Sequence, residues 1–319
     1  MNDLITTTFF AIIAASFFVG IVVGLTGMGG GALMTPALIF LGVGDAATVI
    51  TADLTAAAIY KTGGAIVHQR EGSPNLELAK WLMIGSVPMA LIGPSLVRWF
   101  TDPEGLDATL KLWLGFALLF AALTYAARIY LNLRLREKGL HNTRDDVVVR
   151  PLATLLVGAL GGLLVGITSV GSGSVIMIAL LMLYPTLSAV KLVGTDLVQA
   201  VPLVFAAAIG NIYHEGLDWS LLIPLLIGSV PGTVLGSSIA PRIKQSYIRR
   251  GIVIVLTMSG VALLDKSGWA PLGVEETHPM LVAAVGLFML VAVPAGWAVV
   301  RRLHGLPATG APTIEQLDS

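Results

Sequence analysis

The sequence predicts an all-α polytopic membrane protein. It reads as two inverted five-segment repeats, each with a glycine-broken re-entrant hairpin, plus one extra C-terminal helix. Three observations lead there. Apolar runs of about 17–25 residues, the length that crosses roughly 30 Å of hydrocarbon, recur almost end to end. The run Gly24-Leu-Thr-Gly-Met-Gly-Gly-Gly31 returns, altered, as Gly166-Ile-Thr-Ser-Val-Gly-Ser-Gly173, matching Thr26 with Thr168, Gly29 with Gly171 and Gly31 with Gly173. Ile84-Gly-Ser-Val-Pro88 returns letter for letter as Ile227-Gly-Ser-Val-Pro231.

Composition supports the membrane reading. The 319 residues are 55% hydrophobic and 12% charged, with a mean hydropathy of +0.86. That is too little charge to cover a soluble surface. The runs do not alternate, which sets aside a transmembrane barrel. There is no cysteine, so no disulfide or thiolate metal site is available. A formal net charge of zero offers no field for nucleic acid. Met1-Asn2-Asp3 lacks the basic region of a cleaved leader, so the first apolar run is expected to be retained.

Taken in order, the apolar segments fall at about 5–24, 30–43, 46–68, 78–100, 107–133, 150–168, 173–184, 187–212, 219–241, 249–266 and 279–300. The second and seventh, as helices, reach only about 18–21 Å. Each follows a glycine break, so each is expected to form half of a hairpin whose tip lies at membrane depth. Irregular backbone is tolerated there only when buried in protein or lining a wet cavity. Pro88 and Pro231 are expected to be matched kinks in the fourth and ninth segments.

Basic residues orient the chain. Arg70, Lys80, Arg128, Arg134, Arg136, Lys138, Arg144, Arg150, Lys191, Arg242, Lys244, Arg249, Arg250, Arg301 and Arg302 collect on one face; Arg98, Lys111 and Lys266 fall on the other. The richer face is read as cytoplasmic, with the N-terminus outside and the C-terminus inside a bacterial-type inner membrane. Five segments per unit is an odd number, so duplication inverts the second unit. Asp53-Leu54 aligns with Asp196-Leu197, and Gly93 with Gly236. The units are 1–133 and 150–268, joined by a charged cytoplasmic linker at 134–149. The extra helix spans 269–302, and a polar tail covers 303–319.

Interrupted helices at matching points of two halves point to a transporter's binding site. At each break a new short helix begins, with free N–H groups and the positive end of its dipole, which suit an anion. Glycines let successive N–H groups turn inward as a nest. The candidate binding residues are Thr26, Gly27, Gly29, Gly30 and Gly31 in the first loop. In the second they are Thr168, Ser169, Gly171, Ser172, Gly173 and Ser174. The competing reading is that these small residues only permit close helix packing.

Asp53 and Asp196 lie roughly 10–14 Å deep in their helices. Each either carries a coupling proton or fixes a hairpin tip by accepting backbone hydrogen bonds. Lys61, the one basic residue well inside a segment, neutralises Asp53, attracts the anion or snorkels to the surface. Gln199 and Asn211 are lesser candidates for polar lining. His214 with Glu215 and Asp218, and His68 with Glu71, suggest either a proton relay or ordinary loop polarity.

Gly27-Met-Gly-Gly-Gly31 followed by Thr35-Pro36, with the second loop at Thr168–Ser174, resembles the TauE/SafE family of sulfite exporters and related anion permeases. The resemblance covers about residues 8–300 and recurs in both halves. It implies export of sulfite or a small organosulfur anion by alternating access, without ATP hydrolysis and without a cofactor. The implied partners are the anion and membrane lipid, with a homo-oligomer left open. The second loop departs from the usual glycine triplet, reading Gly171-Ser-Gly173. The alternatives are a passive anion channel and, outside transport, an intramembrane protease using Asp53 with Asp196 or Ser172 with His214. The Gly-x-Gly-Asp context of the aspartyl type is absent, and His214 is expected at the outer rim.

Overall fold

A computed structural model describes residues 2–26, 30–71, 74–137, 147–239, 245–269, 278–303 and 305. The described secondary structure is helical, as the unbroken apolar composition dictates. The helices are α1 (Asn2–Thr26), α2 (Gly31–Leu41), α3 (Ala46–Glu71), α4 (Leu76–Phe100), α5 (Leu106–Glu137), α6 (Pro151–Thr168), α7 (Val175–Leu183), α8 (Ala189–Glu215), α9 (Trp219–Ile239), α10 (Gln245–Lys266) and α11 (Pro279–Leu303). Each predicted segment has its helix. α5 runs past Leu133 to Glu137, so the first residues of the expected linker are helical.

Among the described residues, seven helices are long and apolar enough to cross a membrane: α1, α4, α5, α6, α8, α9 and α11. The chain is a multi-pass membrane protein. At 11 and 9 residues, α2 and α7 are too short to span. Pro88 lies inside α4 and Pro231 inside α9, as expected, joined there by Pro94 and Pro224.

The helices pack in pairs that recur when the first five are exchanged for the next five. α1 lies on α9, and α6 on α4; α4 lies on α8, and α9 on α3; α3 meets α8 and α5 meets α10. Glycines mark the same exchange at atomic level. A Cβ on Gly20 or Gly24 would fall 2.7 or 2.2 Å from the carbonyl oxygens of Ser229 or Thr233. A Cβ on the repeat partners Gly162 or Gly166 would fall 2.2 or 2.5 Å from those of Ser86 or Ala90, the partners of Ser229 and Thr233. Gly85 likewise approaches the Leu155 carbonyl and Gly228 that of Ile13. Small residues four apart let two backbones touch where lipid supplies no hydrophobic drive. Gly24 and Gly166 therefore serve helix packing within α1 and α6.

Polar contacts also sort the helix ends into two sets. Arg98 at the end of α4 pairs with Glu215 at the end of α8, and Ser95 Oγ lies 2.7 Å from His214 Nε2. Asp107 accepts the Ala46 N–H, and the Lys266 ammonium lies 5.2 Å from the Phe40 ring centre. At the other ends, Thr195 Oγ1 accepts the Asn75 N–H and Tyr184 Oη accepts the Arg150 N–H.

Candidate functional site

The second glycine loop is described throughout. α6 ends at Thr168 with Ser169 in the left-handed region, at φ 61°, its N–H donating to the Val165 carbonyl at 2.8 Å. That conformation costs a non-glycine residue roughly 1–2 kcal/mol. Its side chain accounts for the choice: Ser169 Oγ donates to Asp53 Oδ2 at 2.9 Å. Gly171 follows at φ 126°, a region closed to most side chains. Its carbonyl then accepts the N–H groups of Ser174, Val175 and Ile176, so the first N–H groups of α7 turn inward on their own loop.

Of the first loop, Gly27 and Gly29 lie outside the described residues. Gly30 and Gly31 are buried, and the Gly30 carbonyl accepts the N–H groups of Leu33 and Met34. A Cβ on Gly31 would fall 1.9 Å from the Ser169 carbonyl oxygen. The two loops, 138 residues apart in sequence between Gly31 and Ser169, therefore touch backbone to backbone. Glycine at 31 is what permits that approach. The two threonines contribute less than their position suggests: Thr26 Oγ1 donates to the Val22 carbonyl and Thr168 Oγ1 to that of Leu164, each within its own helix.

α3 supplies the charges around this contact. Asp53 and Lys61 stand about two turns apart on one stripe of the helix. Asp53 is fully buried, and its Oδ2 also accepts from Thr35 Oγ1 at 2.5 Å, while Oδ1 has no hydrogen-bond partner among the described residues. Thr35 sits one turn into α2, held there by the glycine start and followed by Pro36. Lys61 does not snorkel: it is 9% exposed and its Nζ donates to Ser172 Oγ at 2.7 Å. It lies within electrostatic range of both Asp53 and Asp196. Asp196, buried on α8, accepts from Gln199 Nε2 at 3.0 Å, and Gln199 Oε1 accepts from Ser86 Oγ at 3.4 Å.

Asp53, Lys61 and the second loop are thus gathered at one place, with Asp196 and Gln199 in the same field. Other candidates go elsewhere. Asn211 Nδ2 donates to the Gly166 and Ala207 carbonyls and so ties α8 to α6. His214 and Glu215 are occupied with Ser95 and Arg98, and Asp218 accepts from Ser220. The side chains of His68 and Glu71 lie outside the described residues. Two participants stand outside the candidate residues: Thr35, quoted there only in the Thr35-Pro36 pair, and Tyr60, whose Oη accepts the Gly30 N–H at 3.1 Å. Tyr60 follows Asp53 by about two turns on α3, the signal that could have found it.

Comparison with known proteins follows this geometry. The family model described as Sulfite exporter TauE/SafE matches residues 12–263. The chain is similar to Probable membrane transporter protein YjnA of Bacillus subtilis (strain 168), 36% identical over 260 residues, covering 80% of this chain and 99% of that one. It is similar to Probable membrane transporter protein YdhB of the same organism, 26% identical over 254 residues, covering 79% and 99%. A probable membrane transporter protein of Xylella fastidiosa (strain 9a5c) is 26% identical over 255 residues, covering 79% and 92%. No solved structure matches the chain.

Proposed function

The chain belongs to the TauE/SafE sulfite exporter family, and from that premise we propose that it exports sulfite or a small organosulfonate by alternating access. The two five-helix units act as inverted repeats across the bacterial-type inner membrane, and the glycine loops are the tips of two re-entrant hairpins. The reading rests above all on one observation: the Gly31 and Ser169 backbones abut beside a buried Lys61 ammonium. The anion sits against the two tips, offered the Lys61 charge, the hydroxyls of Ser172 and Ser174, and glycine N–H groups of both loops, with Ser169 held on Asp53 beside it.

The placement of the carboxylates supports a coupling proton. Lys61 stands in the field of both Asp53 and Asp196, and Arg128 in that of Asp196. A further negative charge about 5 Å from an ionised Asp53 would be opposed by roughly 3 kcal/mol at an effective dielectric of 20. A proton taken up by Asp53 with the anion removes that opposition. Asp53 Oδ1, buried without a partner among the described residues, is the position for it, while Oδ2 stays engaged with Thr35 and Ser169. Asp53 therefore combines the two roles weighed for it, tip support and coupling. A passive channel would pass the anion without that proton.

Counterflow in proteoliposomes with sulfite, sulfate, thiosulfate, sulfoacetate and taurine, repeated with the proton gradient collapsed, tests substrate and coupling together. Gly171→Leu, placing a side chain where φ is 126°, is expected to abolish flux in a protein that still inserts. Wild-type flux by that variant would remove the loop from the site. Flux indifferent to the proton gradient would select the channel.

A further inference from the structure

We infer that Tyr60 is a positioning residue of the anion site, its hydroxyl standing on the Gly30 N–H in the place of an anion oxygen. The inference rests on the reading of the glycine loops as anion-binding tips and adds a residue and an exchange step to it.

Tyr60 and Lys61 are neighbours on α3, and each holds a different tip. Tyr60 Oη accepts from the Gly30 N–H of the first loop at 3.1 Å; Lys61 Nζ donates to Ser172 Oγ of the second at 2.7 Å. A Cβ on Gly30 would fall 2.1 Å from Tyr60 Oη. The missing side chain at position 30 thus makes room for one oxygen atom at a backbone donor, and Tyr60 fills that room. The Gly30 carbonyl is spent on Leu33 and Met34, so its N–H is the group this residue turns outward. Both bonds join partners that an oxyanion can replace. A neutral phenol is a weaker acceptor than a charged oxygen, by roughly twofold in bond strength, so an arriving anion wins the Gly30 N–H. An anion with two or more oxygens that takes both the Gly30 N–H and the Lys61 ammonium breaks both of these bonds in one event, while Asp53 keeps its hold on Thr35 and Ser169. When the anion leaves, Tyr60 and Ser172 return, and no buried donor is left bare.

The test is equilibrium binding of sulfite under anaerobic conditions, with sulfoacetate as second probe, to purified wild-type protein and Tyr60→Phe. Removing the internal competitor leaves the Gly30 N–H dependent on the anion. The variant is expected to bind about two- to tenfold more tightly, the span of one net hydrogen bond, and to release the anion more slowly. A thermal unfolding profile establishes that the variant is folded. Tyr60→Leu, which also removes the hydroxyl, is expected to shift affinity the same way and serves if the phenylalanine protein unfolds. A residue that merely props up the first loop would show the opposite sign. Unchanged or weaker binding by folded hydroxyl-less variants, while Gly171→Leu abolishes binding, overturns the role of Tyr60 alone. Failure of the wild type to bind either probe, or wild-type binding by Gly171→Leu, overturns the anion-site reading beneath it.

Discussion

Adding one methyl group at Gly31 is the smallest change that reports on the contact between the loops. The new Cβ would lie 1.9 Å from the Ser169 carbonyl oxygen and 2.4 Å from Ser169 Oγ, where real contacts stay beyond 3.0 Å. Ser169 cannot swing aside. Its N–H is bound to Val165, its Oγ to Asp53, and its backbone already occupies the left-handed region. The loops must therefore separate. Overpacking of this kind costs about 1–3 kcal/mol, and losing a hydrogen bond to a buried carboxylate adds about 1.5–3 kcal/mol. Alanine's better helix propensity returns at most about 1 kcal/mol. Gly31→Ala is thus expected to lose about 1.5–6 kcal/mol, a fall in unfolding midpoint on the order of 2–9 °C at about 2.1 cal/mol/K per residue. Thermal unfolding in detergent, read by circular dichroism, measures it, with initial-rate anion uptake in proteoliposomes alongside. Gly251→Ala is the control, because a Cβ there meets nothing within 4 Å. A Gly31→Ala protein with the midpoint and uptake of its parent would refute the touching tips.

Lys61→Met leaves two buried carboxylates without their shared cation and is expected to cost about 3–5 kcal/mol. Adding Asp196→Asn should return a large part of that loss, and a purely additive double mutant in thermal unfolding would separate the two residues. Ser169→Gly removes the left-handed strain but also the hydrogen bond to Asp53, so its net effect is expected within about 2 kcal/mol of zero. Ser169→Ala keeps the strain and loses the bond. Unfolding midpoints ranking alanine above glycine would contradict the role given to the Ser169 hydroxyl.

The eleven described α-helices were legible because apolar runs and glycine breaks are local signals, and the repeat register was legible because whole blocks of letters recur. The register even anticipates which glycines meet which carbonyls, since Gly20 and Gly162 perform one task in exchanged surroundings. Pairings between units were not legible. Ser169 with Asp53, and Ser172 with Lys61, join residues 116 and 111 positions apart, and no sequence pattern fixes such a partner. Thr35 entered the sequence reading only within the Thr35-Pro36 pair of the family resemblance, and Tyr60 did not enter it. Their roles arise only when α2 and α3 fold against the glycine start. Thr26 and Thr168 each donate to the i−4 carbonyl of their own helix, the partner nearest to a hydroxyl in a last turn.

The scaffold repeats, but the polar residues do not. In the repeat register Ser169 and Ser172 stand opposite Gly27 and Gly30, Lys61 opposite Val204, Tyr60 opposite Leu203, and Gln199 opposite Ala56. α3 consequently holds the second loop through Asp53 and Lys61, whereas among its described contacts Asp196 on α8 bonds within its own helix to Gln199. If the two units exchange roles during transport, the two end states must then differ in free energy, because the hydrogen bonds broken in one half-cycle have no copies to form in the other. Such a difference sets the resting population and the affinity on each side of the membrane. It cannot set the direction of net flux, which belongs to the gradients of the anion and any coupled proton. The asymmetry of the second loop therefore bears on where the anion is held tightly and where it is let go.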